Sequence, residues 1–151
     1  MAKFNFSLAP ILRVKEKVED LKKNEMAKAI LALEAEKQRL VMLEETRANC
    51  IESFRESLNS GVKPEDVKHH NQYLDKLKIW IKAQHVAIQI AEAFVEQKRL
   101  ELVEAMKERK ALDKLKENDY NEFLIEEKKE EQKSIDEIVS YKGSLTLKAQ
   151  N

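Results

Sequence analysis

Glycine, proline and cysteine are scarce in this chain of 151 residues, and their scarcity excludes several kinds of protein. A phosphate-binding loop needs several glycines close together, so that backbone N–H groups can surround the anion. The two glycines, Gly61 and Gly143, lie far apart, which excludes a nucleotide-binding loop of that kind. Cys50 is the only cysteine, so there is no internal disulfide, and a reducing compartment is expected.

The chain also lacks net charge and long apolar runs. Its 28 basic and 28 acidic residues cancel, so no overall field draws it to nucleic acid or to an anionic membrane surface. The apolar patch near the N-terminus turns charged at Arg13, before a signal-peptide core or a span of ~20 apolar residues could form. We therefore expect a cytoplasmic protein that neither binds nucleic acid nor inserts into a membrane.

Charged residues and helix formers dominate what remains. Charged residues make up 37% of the chain and aromatics 6%, a composition typical of long helices. Ser7 is a good N-cap and Pro10 is tolerated in a first turn, which predicts a first helix over about residues 7–58. Apolar residues recur along it mostly at intervals of three, four or seven, with a shift of phase near Glu25. They are Ile11, Val14, Val18, Leu21, Ile30, Leu33, Leu40, Leu43, Ile51, Phe54 and Leu58.

A single turn is predicted at residues 59–63. Asn59, Ser60 and Gly61 are residues that end helices, and Gly61 accepts the left-handed conformation at low cost. Pro64 supplies the backbone angle of a first helical turn, and the acidic pair 65–66 lies where the helix dipole favours negative charge. A second helix is therefore expected from Pro64 to about Tyr141, followed by a frayed tail over residues 142–151.

The second helix carries a heptad seam. Nine of its twelve seam positions are apolar, which indicates coiled-coil packing. The positions are Leu74, Leu77, Ile81, Gln84, Ile88, Ala91, Val95, Lys98, Leu102, Ala105, Arg109 and Leu112. The pattern fades after Leu112, near the place where an antiparallel first helix would end. This agreement predicts an all-α fold, a long antiparallel two-helix coiled-coil hairpin that forms one domain over residues 1–151.

No set of residues points to catalysis, a metal or a cofactor. His69 and His70 are adjacent and point about 100° apart on a helix, and Asp66 is the one acidic residue that lies one turn before both of them. These two and His85 are expected to be solvated or at the edge of the seam. Cys50 is expected to be a small core residue with no base beside it. The sequence therefore predicts a protein that is not an enzyme and holds no cofactor.

Two surface features leave alternatives open. Tyr73, Leu77, Trp80 and Gln84 share one helix face, with the two aromatics at the seam edge. This face either widens the seam or binds a partner, because tyrosine and tryptophan are enriched as interface anchors. The charged run at residues 126–134 is either a solvated helix face or a polar docking surface.

Three segments resemble the flagellar export protein FliJ family. They are the N-terminal "FNFSLAPILRVKEKVED", the turn segment "SLNSGVKPEDVKHHNQYLDKLKIWI" and the C-terminal "MKERKALDKLKENDYNEFLIEEKKEEQKSIDEIVSYK". The last segment contains a motif of the Gln-Lys-x-x-Asp-Glu type, made of Gln132, Lys133, Asp136 and Glu137. The resemblance covers nearly the whole chain.

The resemblance implies a stalk and general chaperone of the bacterial flagellar type III export apparatus. Such a stalk enters the ring of the export ATPase and links it to the membrane export-gate protein, on the cytoplasmic side of the membrane at the flagellar base. Export chaperones or exported flagellar subunits are further implied partners. The gate-binding residues would be Tyr73, Leu77, Trp80 and Gln84, although Trp80 and Gln84 differ from the small residue and the histidine of some members. The end expected to bind the ATPase contains Ile11, Val14, Val18, Ala105, Arg109 and Leu112.

The alternative is a generic coiled-coil tether, or the stalk of a related non-flagellar secretion system. Neighbouring genes for a flagellar export ATPase would favour the flagellar protein.

Overall fold

Two long antiparallel helices make up nearly all of the protein. A computed structural model describes residues 2–150, in which α1 spans Ala9–Asn59 and α2 spans Pro64–Gln150. No strand occurs within this described part. Residues late in α1 meet residues early in α2: Cys50 lies against His70, and Glu36 lies against Gln84. The prediction of an all-α two-helix hairpin is confirmed.

The start of α1 lies two residues after the predicted Ser7. The backbone N–H of Ala9 donates to the carbonyl oxygen of Phe6 at 3.1 Å, and that of Leu12 donates to Leu8 at 2.9 Å. Pro10 then falls within the first turn, where its missing N–H leaves no helical bond unmade.

The turn has the chemistry that its sequence predicts. Gly61 adopts a φ of +87°, in the left-handed region, and its N–H donates to the carbonyl oxygen of Leu58 at 3.4 Å. The N–H of Lys63 donates to the carboxylate of Asp66 at 3.4 Å, which satisfies a donor just before α2 begins at Pro64. The chain thus ends one helix and starts the next within a few residues.

The predicted end of α2 at about Tyr141 is wrong, because the helix continues to Gln150. The tail contains Gly143 and few apolar residues, but a single glycine costs a helix only about 1 kcal/mol. The hydroxyl of Thr146 donates to the carbonyl oxygen of Lys142 at 3.0 Å, across this part of the helix. Residues 1 and 151, the ends of the predicted domain and tail, lie outside the described residues.

The predicted seam of α2 is confirmed, since all twelve positions are buried or half-buried. From Lys114 to Gln150 all residues are exposed except Phe123 and Glu127, which are half-buried. The seam therefore weakens after Leu112, as the sequence pattern indicates.

The predicted stripe of α1 is partly wrong. Ile11, Val14, Leu21, Ile30 and Leu58 are exposed, and no shift of phase occurs near Glu25. The seam instead follows steps of three and four that include charged side chains. Its positions, all but Arg47 buried or half-buried, are Leu12, Lys15, Glu19, Lys22, Met26, Ala29, Leu33, Glu36, Leu40, Leu43, Arg47, Cys50 and Phe54.

The chain divides into two compact units. One comprises residues 19–105, and the other comprises residues 2–18 with 106–150. The prediction of a single domain therefore stays a prediction. No helix within residues 2–150 has an apolar stretch that could cross a bilayer.

In the unit of residues 2–18 and 106–150, an aromatic cluster joins the N-terminal segment to α2. The ring of Phe4 meets Tyr120 edge-on at 5.2 Å and lies 5.6 Å from Phe123. Phe6 and Leu12 are buried in the same unit. The residues before α1 thus extend the packing to Phe123, beyond Leu112, where the heptad pattern of α2 fades. Their aromatic side chains cover α2 although the segment that carries them is not helical.

Candidate partner-binding surfaces

The two sides of the seam in the unit of residues 19–105 differ in polarity. On one side, α2 carries the four residues that come directly before the seam positions Leu74, Ile81, Ile88 and Val95. These residues are Tyr73, Trp80, Ala87 and Phe94. On α1 the matching positions are Glu25, Ala32, Arg39 and Thr46. In an antiparallel pair these positions flank the seam on the same side, which we call the groove side. On the other side α2 carries Lys78, His85, Glu92 and Arg99, all exposed.

The predicted gate face is divided by the structure. Tyr73 and Trp80 lie on the groove side, with 39% and 47% of their surface exposed. Leu77 is only 1% exposed and packs in the seam, as its seam position predicts, and its assignment to the gate-binding residues stays a prediction. A seam position points toward the partner helix, whereas a position one residue earlier points about 100° away.

Gln84 also belongs to the seam. It is half-buried, and its amide donates to the backbone carbonyl of Glu36 at 2.8 Å and to the Glu36 carboxylate at 2.5 Å. Glu36 is held in addition by Arg39 at 2.8 Å. The amide of Gln84 is therefore engaged with α1 and is not presented to a partner.

An apolar groove lies on the groove side between α1 and α2. Alanines form much of its lining, and Ile90 and Phe94 stand beside it with large exposed surfaces. The lining residues are Ala29, Ala32, Glu36, Ala87, Ile90, Ala91 and Phe94. Sequence reasoning missed this groove because it followed one seam per helix, although the heptad-spaced aromatic residues carry the signal.

A cluster of four charged residues bridges the helices within the same unit. Lys98 donates to Glu25 at 3.3 Å and to Glu101 at 3.2 Å, and Lys22 donates to Glu101 at 3.3 Å. The hydrogen bond from Lys98 is the main reason that the pKa values of Glu25 and Glu101 are lowered. The pKa of Lys98 is raised, mainly by its bond to Glu101. This cluster lets lysine occupy two seam positions.

Five of the six residues expected at the ATPase end lie in the unit of residues 2–18 and 106–150. Ile11 and Val14 are exposed, whereas Val18, Arg109 and Leu112 are half-buried. Arg109 forms an ion pair with Asp113, and Lys15 pairs with Glu108 at 2.8 Å. Ala105 is buried within the unit of residues 19–105. Ile11 and Val14 are therefore the exposed apolar side chains of the expected set.

The expectation that no base lies beside Cys50 is wrong. The Cys50 Sγ atom lies 3.5 Å from Nδ1 of His70, and the His70 ring stacks on Phe54 with centroids 3.9 Å apart. Helix pairing brings together residues that are 20 apart in sequence, which spacing along one helix could not show. Within residues 2–150 no group of three or more His, Cys, Asp or Glu side chains could hold a metal ion.

The part of α2 after Phe123 has an unpaired surface. All residues from 124 to 150 are exposed except Glu127. The charged run at residues 126–134 includes one pair, Lys129 with Glu126, at 3.7 Å. Both interpretations of that run stay open. Exposed apolar residues here are Leu124, Ile125, Ile135, Ile138, Val139, Tyr141, Leu145 and Leu147.

Comparisons with known proteins agree with this fold. The family model described as flagellar FliJ protein matches residues 4–145. A solved structure described as a YscO homolog from Chlamydia trachomatis is similar with a TM-score of 0.64 at 23% identity, over 95% of this chain and 97% of that one. Among curated proteins, no match to the chain was found.

Proposed function

Since the chain belongs to the flagellar FliJ protein family and is thus a component of a type III export apparatus, we propose that it is a non-catalytic stalk that connects the export ATPase to the membrane export gate. It acts on the cytoplasmic side of the membrane. Export chaperones or exported subunits are further partners in this proposal.

The observation that carries the proposal is the exposure of two aromatic side chains within the family match. Tyr73 and Trp80 lie seven residues apart on the groove side and are not needed to fill the seam, which Leu74, Leu77 and Ile81 occupy. Exposed aromatics of this kind supply large contact area at low entropic cost and act as anchors. They support a gate-binding role for the part of α2 that follows the turn.

The ATPase contact is assigned to exposed apolar residues early in α1. Ile11 and Val14 are 48% and 57% exposed, although a helix surface in water gains nothing from presenting them. They lie one turn apart and form a small apolar patch. We assign this patch to the ATPase and the pair Tyr73 and Trp80 to the gate.

Paired substitutions test this division. We expect Ile11→Ala with Val14→Ala to weaken binding to the export ATPase at least ~10-fold, because each contact of an anchor residue contributes ~1 kcal/mol or more. Binding to the cytoplasmic domain of the export gate should be unchanged. Titration calorimetry with each purified partner measures both affinities.

Leu31→Ala provides the control, since Leu31 is 69% exposed on α1 and lies in the other unit. It should change neither affinity. Equal loss for both partners, or loss for neither, would contradict the assignment.

A further inference from the structure

Residues 79–95 of α2 carry more apolar side chains than α1 covers, because α1 packs against only one face of this stretch. Five of these seventeen residues are polar: Lys82, Gln84, His85, Gln89 and Glu92. The first helix covers the seam positions, yet large apolar side chains elsewhere on this stretch stay exposed. These are Ile79, Trp80, Val86, Ile90 and Phe94. Exposed apolar surface of this density is characteristic of an interaction site.

The α2 residues on the groove side have the spacing of a second seam. Steps of three and four from Tyr73 to Phe94 give Tyr73, Lys76, Trp80, Ala83, Ala87, Ile90 and Phe94. A helix with two adjacent heptad stripes can pack against one helix with each stripe. The first stripe holds α1, so the second has the geometry to hold another α-helix.

The shape of the groove agrees with a helix as its occupant. Ala29, Ala32, Ala87 and Ala91 line it, and short side chains let a third backbone approach both helices closely. Ile90 and Phe94 can then pack against the apolar stripe of the incoming helix. The stripe from residue 73 to residue 94 is about 32 Å long, which corresponds to three heptads.

Charge decides which kind of helix fits. On the groove side, the α1 positions are Glu25, Lys28, Ala32, Ala35, Arg39, Met42 and Thr46, and the α2 positions are the seven of the second stripe. Three of these fourteen residues are basic, and one, Glu25, is acidic and accepts a hydrogen bond from Lys98 at 3.3 Å. Arg39 already pairs with Glu36, which lies at a seam position beside the groove. Because Glu25 and Glu36 each have a basic partner, Lys28 and Lys76 leave the edges of the groove with a net positive charge.

A positive groove disfavours a second copy of this chain. Two copies packed groove side to groove side would place basic edges against basic edges, which is destabilising. A helix with acidic residues beside its apolar stripe would instead meet opposite charge.

We propose that the groove side of residues 28–46 and 73–94 binds an amphipathic α-helix of a partner protein, whose apolar stripe is flanked by acidic residues. Tyr73 and Trp80 form the end of this site nearest the turn. The inference deepens the proposed gate-binding role and rests on it only for the identity of the partner.

A designed peptide tests the site without knowledge of the natural partner. The probe is a 21-residue helix with leucine at intervals of three and four and glutamate at the positions beside them. A matched peptide carries lysine in place of glutamate. Fluorescence anisotropy with the full chain should show saturable binding of the glutamate peptide and at least ~10-fold weaker binding of the lysine peptide.

Variants of matched exposure localise the binding. Ile90→Glu with Phe94→Glu changes residues that are 66% and 47% exposed, so the helices should stay folded. The control, Leu31→Glu with Ile30→Glu, changes residues that are 69% and 47% exposed outside the groove side. The first pair should lower the affinity for the glutamate peptide at least ~10-fold, and the control pair should leave that affinity within ~2-fold of the wild-type value.

The possible results distinguish this inference from the proposed function. Absence of glutamate-peptide binding, or equal binding of the lysine peptide, overturns the inference even if the export gate still binds. Peptide binding with no affinity for the gate supports the inference and contradicts the proposed function. Analytical ultracentrifugation tests whether a second copy is the occupant. A wild-type dimer that dissociates in the Ile90→Glu with Phe94→Glu variant would identify a second copy in the groove and overturn the inference.

Discussion

At the scale of single residues, both helices place polar side chains at seam positions. On α2 nine apolar positions identified the seam, and the three polar ones, Gln84, Lys98 and Arg109, fell into it by spacing alone. On α1 the same spacing includes Lys15, Glu19, Lys22 and Glu36. A search for apolar residues therefore selected exposed neighbours in place of these seam positions. Polar seam residues cost stability but help to fix the register of a coiled coil. Their partners, such as Gln84 for Glu36, become visible only when the helices are paired.

Leu77 tests the seam assignment directly. Leu77→Ala should lower the free energy of unfolding by about 2–5 kcal/mol, because it removes a fully buried side chain and leaves a cavity. Urea denaturation followed by circular dichroism measures the change. Leu31→Ala, at an exposed α1 position, should stay within ~0.5 kcal/mol of wild type. Similar values for the two variants would show that Leu77 is not a core residue.

At the scale of elements, the turn was predictable and the end of α2 was not. The turn depends on local chemistry, a left-handed glycine followed by a proline, that the sequence displays within four residues. The end of α2 has no such stop, since the residues after Gly143 are mostly good helix formers. The groove was also hidden from single-helix reasoning, because it needs Ala32 of α1 beside Ala87 of α2.

The two glycines should respond to alanine with opposite signs. A Cβ atom would meet no atom within 4 Å at either position, so only the backbone conformation matters. Gly61→Ala should cost about 1–2 kcal/mol in unfolding free energy, because alanine is strained at a φ of +87°. Gly143→Ala should raise helicity near the end of α2, since alanine is favoured by about 0.5–1 kcal/mol in a helix.

Urea denaturation reports the first change, and hydrogen exchange of the amides near residue 143 reports the second. Faster exchange in Gly143→Ala, or a stabilised Gly61→Ala variant, would contradict the conformations described.

The charged cluster between α1 and α2 predicts how stability depends on pH. The pKa values of Glu25 and Glu101 are lowered from 4.5, so their contribution is present above pH 4.5 and is lost as pH falls through the lowered values. The pKa of Lys98 is raised from 10.5, so its contribution is complete below pH 10.5 and is lost at higher pH. Stability from this cluster should be constant between these limits.

Lys98→Met should therefore reduce the loss of stability on acidification below pH 4.5, as measured by urea midpoints from pH 3 to pH 7. The control is Lys114→Met, which removes an exposed pair with Glu117 within α2. An unchanged acid dependence in Lys98→Met would contradict the assigned linkage.

At the scale of the whole molecule, the central claim is that one chain binds the export ATPase and the export gate through separate surfaces. Each surface consists of side chains that their own unit does not bury: Ile11 and Val14 in one, Tyr73 and Trp80 in the other. The sequence and its family resemblance indicated these regions. They did not separate surface from seam within them, because burial depends on the register of the opposite helix.

The most direct measurement is a titration of the Tyr73→Ala and Trp80→Ala double variant with the cytoplasmic domain of the export gate, paired with thermal unfolding. Because both side chains are exposed, the melting temperature should stay near that of wild type. Affinity should fall at least ~30-fold, since anchor residues typically contribute ~2 kcal/mol each. Ile30→Ala, with the same 47% exposure as Trp80 but off the groove side, should change neither quantity. A large drop in melting temperature with unchanged affinity would contradict the account, because it would make the two aromatics packing residues and not a binding site.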